Sequence, residues 1–108
     1  MAVEQWSANL LVVRLGNDPQ FTDDLGALEN YDLSNSHIVL DFSAVGFLNS
    51  SNLARLLKLR KLMRQYENLL VLCGVNTTIW GTFLTTGLDK IFEFSDDVAT
   101  ALATIQMS

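Results

Sequence analysis

The chain has 108 residues, 49% of them hydrophobic and 18% charged, which fits one domain spanning 1–108 with its own core and leaves no length for a second. A net charge of −5 argues against a protein that coats a phosphate backbone. One cysteine and one histidine supply neither an intramolecular disulfide nor a metal-ligand set.

Cys73 lies in the apolar run Leu69 to Cys73 and reads as a reduced, buried, small hydrophobe. Met1 to Asn9 carries Glu4 and no basic region before an apolar stretch, and no uncharged run approaches the roughly 18 residues of a membrane span. Secretion and membrane spanning are therefore not expected, and the cytoplasm is the expected compartment.

Ala2 to Trp6 and Leu10 to Leu15 are short β-prone runs separated by Ser7, Ala8 and Asn9, the pattern of an opening hairpin. After the turn cluster Gly16 to Pro19, Phe21, Leu25, Leu28 and Tyr31 follow helical spacing, with Asp23 and Asp24 near the positive end of the dipole. His37 to Phe42 is an almost continuous apolar run, as in a strand covered on both faces of a parallel sheet. Asn49 to Tyr66 predicts the longest helix, Leu69 to Val75 the next buried strand, and Thr77 to Thr86 a helix stopped by Gly87. Ile91 to Phe94 predicts a last strand. Ser95 then reads as the N-cap of a helix that places Val98, Ala101, Leu102 and Ile105 on one face. The order is β, β, α, β, α, β, α, β, α, which predicts an α/β fold: a small, mainly parallel mixed sheet with right-handed crossovers.

On the long helix, Leu56, Leu59, Met63 and Tyr66 share one arc, flanked by Leu62, and form a core stripe. Beside it, Leu53 and Leu57 share a sector with Arg60 and Arg64, with Lys61 adjacent; the sector reads equally as an extension of the core and as an interface in which arginine buries its stem. Arg55, Lys58, Arg60, Lys61 and Arg64 are five of the seven cations and leave two against twelve carboxylates elsewhere. Such a run is either a solvated helix face or a docking surface for an acidic partner.

No catalytic constellation is evident. His37 precedes a buried strand with no nucleophile beside it in sequence, and the six glycines are scattered with no phosphate-cradling loop. No cofactor is implied. The pairs Asp23 with Asp24 and Asp96 with Asp97 suit helix starts better than acid and base roles. Trp6 and Trp80 read as core packing in preference to ligand platforms.

What remains is the polar stretch Asn49, Ser50, Ser51 and Asn52 at the start of the long helix. Either serine serves there as an N-cap. A hydroxyl at this place has a second use, because a phosphate added at the positive end of a helix dipole changes the surface potential without unfolding the chain. A serine in a turn before a helix also has a hydrolase-like reading, but Gly-x-Ser-x-Gly and a base partner are absent.

Ile38 to Ser51, reading IVLDFSAVGFLNSS, followed by Leu53 and an apolar-basic helix, resembles the central motif of the STAS domain. The anti-sigma-factor antagonists of that family read hydrophobic run, Asp, short loop, Asp-Ser-Ser-Gly-Leu. LLVLCGVN from Leu69 to Asn76, LTTGLDKIFEF from Leu84 to Phe94 and a terminal helix resemble the same family's closing pattern, so the likeness runs from about His37 to the end.

The resemblance implies a four- or five-stranded sheet packed against about four helices, and a protein that binds a partner and does not turn over substrate. It implies an anti-sigma factor with a kinase domain as that partner, phosphorylation of Ser51 or its neighbour Ser50 as the event that abolishes binding, and a docking surface of Asn49, Asn52, Leu53, Leu57, Arg60 and Lys61. Two positions depart from the motif: Asn49 stands for its Asp, and Asn52 for its Gly, where a side chain is expected to obstruct close approach of a kinase. The turn at Gly16 to Pro19 also lacks the hydrophobic-Asp pattern, which leaves Asp18 a minor candidate for contact with a partner. The departures keep open a constitutive scaffold or assembly subunit without a phosphoswitch.

Overall fold

A computed structural model describes residues 3–107. Five strands, β1 (Val3–Ser7), β2 (Leu10–Arg14), β3 (His37–Asp41), β4 (Leu70–Cys73) and β5 (Glu93–Ser95), form one sheet in the order β1-β2-β3-β4-β5. β1 runs antiparallel to β2 and the other pairs are parallel, because only the first connection is a tight turn. Among the described residues the α-helices are α1 (Gln20–Ala27), α2 (Ser50–Gln65), α3 (Thr77–Thr86) and α4 (Val98–Gln106), with three short 3-10 turns between elements. The predicted α/β architecture and element order are thus those observed; Ala2, the predicted first residue of β1, lies outside the described residues.

Side chains alternate across the central strands and divide the core into two layers. Leu11, Val13, Ile38, Leu40 and Leu72 face α1, α2 and α3, where Phe21, Leu56, Met63, Ile79 and Phe83 are buried. Val12, Val39, Val71 and Cys73 point the other way, onto Ala101, Leu102 and Ile105 of α4. The three crossover helices therefore share one face, which brings the starts of α1, α2 and α3 to the same end of the sheet, beyond the carboxyl ends of β2, β3 and β4.

Several local expectations give way to longer-range contacts. Ser95 pairs with Cys73 as the last residue of β5, so α4 is capped by Asp97, whose Oδ1 accepts from Thr100 N at 2.8 Å. Tyr66 falls after the last residue of α2 and is 40% exposed instead of extending the core stripe. Trp6, on the outer strand, is 50% exposed and Trp80 is 38% exposed, so neither is the core residue predicted; Trp80 packs edge-on to Phe94 with centroids 5.1 Å apart. Gly87 ends α3 as predicted, with φ of 75° donating its N–H to Leu84 O.

Cys73 is a free thiol, and burial together with the nearby Asp41 charge pushes its pKa up to about 12. The thiolate is the reactive species. Native protein at pH 8 should therefore react with a disulfide reagent only as fast as it opens, while urea-unfolded protein reacts at once. Immediate stoichiometric labelling of the native chain contradicts this.

Candidate functional site

The loop between β3 and α2 is held from three sides. Val45 is buried and donates its N–H to Phe42 O at 2.9 Å. Gly46 N donates to Asn17 Oδ1 at 2.8 Å, and Asn76 Nδ2 donates to Val45 O at 3.0 Å. Asn17 belongs to the turn before α1 and Asn76 is the N-cap of α3, so the two neighbouring helix starts pin the loop. Phe47, between these anchors and α2, is left 60% exposed.

Neither serine caps α2. Asn49 is the N-cap: its Oδ1 accepts from Asn52 N at 2.8 Å, and Asn52 Oδ1 accepts from Asn49 N at 3.1 Å, a reciprocal capping box. The same two side chains donate through Nδ2 to one oxygen of Asp18, Asn52 at 2.9 Å and Asn49 at 3.3 Å. The other carboxylate oxygen of Asp18 accepts from Thr22 N at 3.1 Å and Thr22 Oγ1 at 2.8 Å. These hydrogen bonds, that of Asn52 foremost, hold the Asp18 carboxyl below the ordinary 3.8. Asp18 thus ties the start of α1 to the start of α2 across 31 and 34 positions of sequence, a role its local turn pattern did not announce.

Both departures from the family motif have one structural explanation. An amide at position 49 and another at 52 can each accept a backbone N–H and also donate to a carboxylate, which neither an aspartate nor a glycine can do. Asn52 is 2% exposed, with its side chain turned inward. The expected obstruction at the surface is therefore not what its amide presents; it is a strut beneath the loop.

With the caps supplied by asparagine, Ser50 and Ser51 become the first two residues of α2, exposed to solvent. Among the described residues, neither hydroxyl has a hydrogen-bond partner in the protein. They stand at the positive end of a 16-residue helix, where the first backbone N–H groups lack intrahelical acceptors. His37 begins β3 and so lies at the far end of the strand from this loop, and its Nδ1 accepts from Leu69 N at 2.9 Å. It is a strand-edge residue and no base for these hydroxyls. No group of three potential metal ligands occurs among the described residues.

Along α2 the two flanks differ. Leu53 is half-buried against the core, Leu57 is 37% exposed, and Arg60 is held by a 2.8 Å bond from Nε to Ile91 O. Lys61 and Arg64 are exposed beside them. The ion pairs among the described residues are those of Arg14 with Asp41 and Glu4, so the five cations of α2 are unpaired. Sequence reasoning missed Phe47 and Leu84, exposed apolar side chains on the adjoining loop and on α3. The apolar stretch Val45 to Leu48 carried the signal for Phe47; nothing local distinguished Leu84.

The STAS domain model matches residues 6–101 of the chain. This chain belongs to the STAS family. A sequence search of curated proteins returns no match. Among solved structures, this STAS domain is similar to an anti-sigma-factor antagonist (STAS) domain protein from Planctomyces limnophilus, with 16% identity, 96% of each chain covered and a TM-score of 0.79. It is also similar to RsbS of Moorella thermoacetica in a serine-to-glutamate variant, at 18% identity over 98% of this chain and 96% of that one, with a TM-score of 0.77. The fold recurs inside a murine anion transporter, Solute Carrier 26 family member A9, at 17% identity and a TM-score of 0.77, covering 94% of this chain and 18% of the transporter. At these identities the likeness is one of fold. No helix among the described residues is long and apolar enough to cross a membrane.

Proposed function

We propose that this STAS domain is a cytoplasmic regulatory module of the anti-sigma-factor antagonist type, which docks an anti-sigma kinase or related regulator of transcription and is released from it by serine phosphorylation. Asn49 and the exposed start of α2 form the centre of the contact, continued by Leu53, Leu57, Arg60 and Lys61. Asn52 acts from beneath by fixing Asn49. Ser51 is the acceptor, with Ser50 beside it: its Oγ takes the γ-phosphoryl of ATP, the hydroxyl proton leaves and ADP is released.

The observation that carries the reading is that both hydroxyls are idle in the fold. Capping is done by asparagines, so a phosphate on Ser51 breaks no bond that holds the domain together. It adds about −1.5 to −2 charges where the helix dipole tolerates them but an interface does not. The cations on that face, Arg60, Lys61 and Arg64, form no ion pair among the described residues and suit a partner carrying carboxylates, which the phosphate would repel.

The test is binding of the purified chain to its cognate kinase. Ser51→Asp should weaken the complex at least tenfold and Ser51→Ala should not, while incubation with kinase and ATP should add one phosphate by intact mass. Unchanged affinity in Ser51→Asp overturns the switch and leaves a constitutive scaffold or assembly subunit.

A further inference from the structure

The flank of α2 opposite the proposed docking face borders a half-open groove of about 120 Å³ against α1 and the turns that follow it. Leu25 and Leu62 contribute to an apolar floor, while Arg55, Lys58 and Glu29 stand around it. None of these three charged side chains forms an ion pair among the described residues. Gly26 also lines the groove, in the last turn of α1. A Cβ built there meets nothing within 4 Å. Glycine is a poorer helix former than alanine, and no neighbour forbids the methyl. Its visible effect is to leave the groove open.

We propose that this groove is a ligand site for a small monocarboxylate carrying a short apolar chain. The leucine floor takes the chain, and Arg55 and Lys58 take the carboxylate, their stems lying on apolar surface with the charged heads in water. Two cations and one carboxylate leave a single positive charge, which matches a monoanion better than a phosphate or an acidic peptide. A volume of about 120 Å³ holds one short chain and does not hold the apolar face of a partner helix. The site lies apart from Ser50 and Ser51 and does not depend on the partner reading.

Octanoate is the probe, with octanol and octyltrimethylammonium as its uncharged and cationic counterparts, titrated into the full ¹⁵N-labelled chain. The expected result is saturable amide shifts confined to residues 25–33 and 55–62 with octanoate, and affinity at least tenfold weaker for both counterparts. Arg55→Gln combined with Lys58→Gln should weaken octanoate binding at least tenfold, and Gly26→Leu should abolish it while the spectrum stays folded. Shifts spread outside the groove, equal binding of the cationic probe, or unchanged affinity in the charge variant overturns the proposal. Ser51→Asp should bind octanoate as the parent does, so failure here and failure of the phosphoswitch are separate results.

Discussion

Phe83→Ala should remove about 3–5 kcal/mol of folding free energy, the range found when a fully buried phenylalanine is cut to a methyl and the cavity collapses only in part. Phe83 is fully buried and stands between three other rings, with centroids 5.1 Å from Phe94, 5.8 Å from Phe92 and 6.5 Å from Phe42, each approached edge-on. From α3 it packs on both Phe94 of β5 and Phe42, the residue following β3. Total stability of a domain this size is about 5–15 kcal/mol, so the loss is a large share of it. At roughly 4–8 °C per kcal/mol the melting midpoint should fall by about 12 °C or more. Trp80→Ala, which removes a 38% exposed ring packed edge-on to Phe94, should cost less than half as much. Calorimetry on the pair decides; equal losses would show that the ring cluster is not the keystone of the α3 side of the core.

The same substitution should be felt at the loop before α2. Phe42 begins that loop, and its ring packs on Phe83 and on Phe21 of α1. Val45 is buried in the same core cluster as these rings, so the aromatic residues form part of the floor beneath the loop. Loosening it should broaden the amide resonances of residues 43–49 before the sheet melts, a local opening that hydrogen exchange resolves from global unfolding.

How far the sequence determines this picture differs between strands and site. The central strands are legible because a parallel strand buried on both faces must be apolar throughout, as Ile38 to Leu40 and Leu70 to Cys73 are. The helices between them are legible through their stop signals, Gly87 above all. The edges are less so. Trp6 lies on an outer strand where only Val3 turns fully inward, and composition alone does not say which faces of an edge strand are covered. Ser95, which precedes two aspartates, has the sequence features of a cap, but pairing with Cys73 extends β5 through it and transfers the cap to Asp97.

The start of α2 shows the difficulty most clearly. Asn49, Ser50 and Ser51 are all good N-cap residues, and local propensity does not choose among them. The choice is made by Asp18, from another turn, whose single oxygen accepts from both Asn49 and Asn52 and so fixes the register of the cap. A contact between residues this far apart in sequence has no local signature. The resemblance to the family motif directs attention to Ser50 and Ser51, and the capping geometry explains why their hydroxyls have no partner in the fold.

Asn52→Ala should cost about 1 kcal/mol, the net worth of an intramolecular hydrogen bond, because it removes the acceptor of the Asn49 N–H; it also takes from Asp18 its shortest amide bond. It should also loosen the turn before α1, and Asn52→Ala combined with Asp18→Ala should destabilise by less than the sum of the two, since both remove the same link. The pH dependence gives the sign. Asp18 has a folded pKa below its ordinary 3.8, so its contribution is complete above that value and is lost as pH falls through the lower folded one. Asn52→Asp should do the reverse at neutral pH, placing a second carboxylate against Asp18; that variant should gain stability relative to the parent as the pair takes up a proton on acidification. Urea titrations of parent, Asn52→Ala and Asn52→Asp between pH 7 and pH 3 read all of this. If Asn52→Asp shows the parent's pH profile, Asp18 is not the anchor of the serine-bearing helix, and the idle hydroxyls would need another explanation.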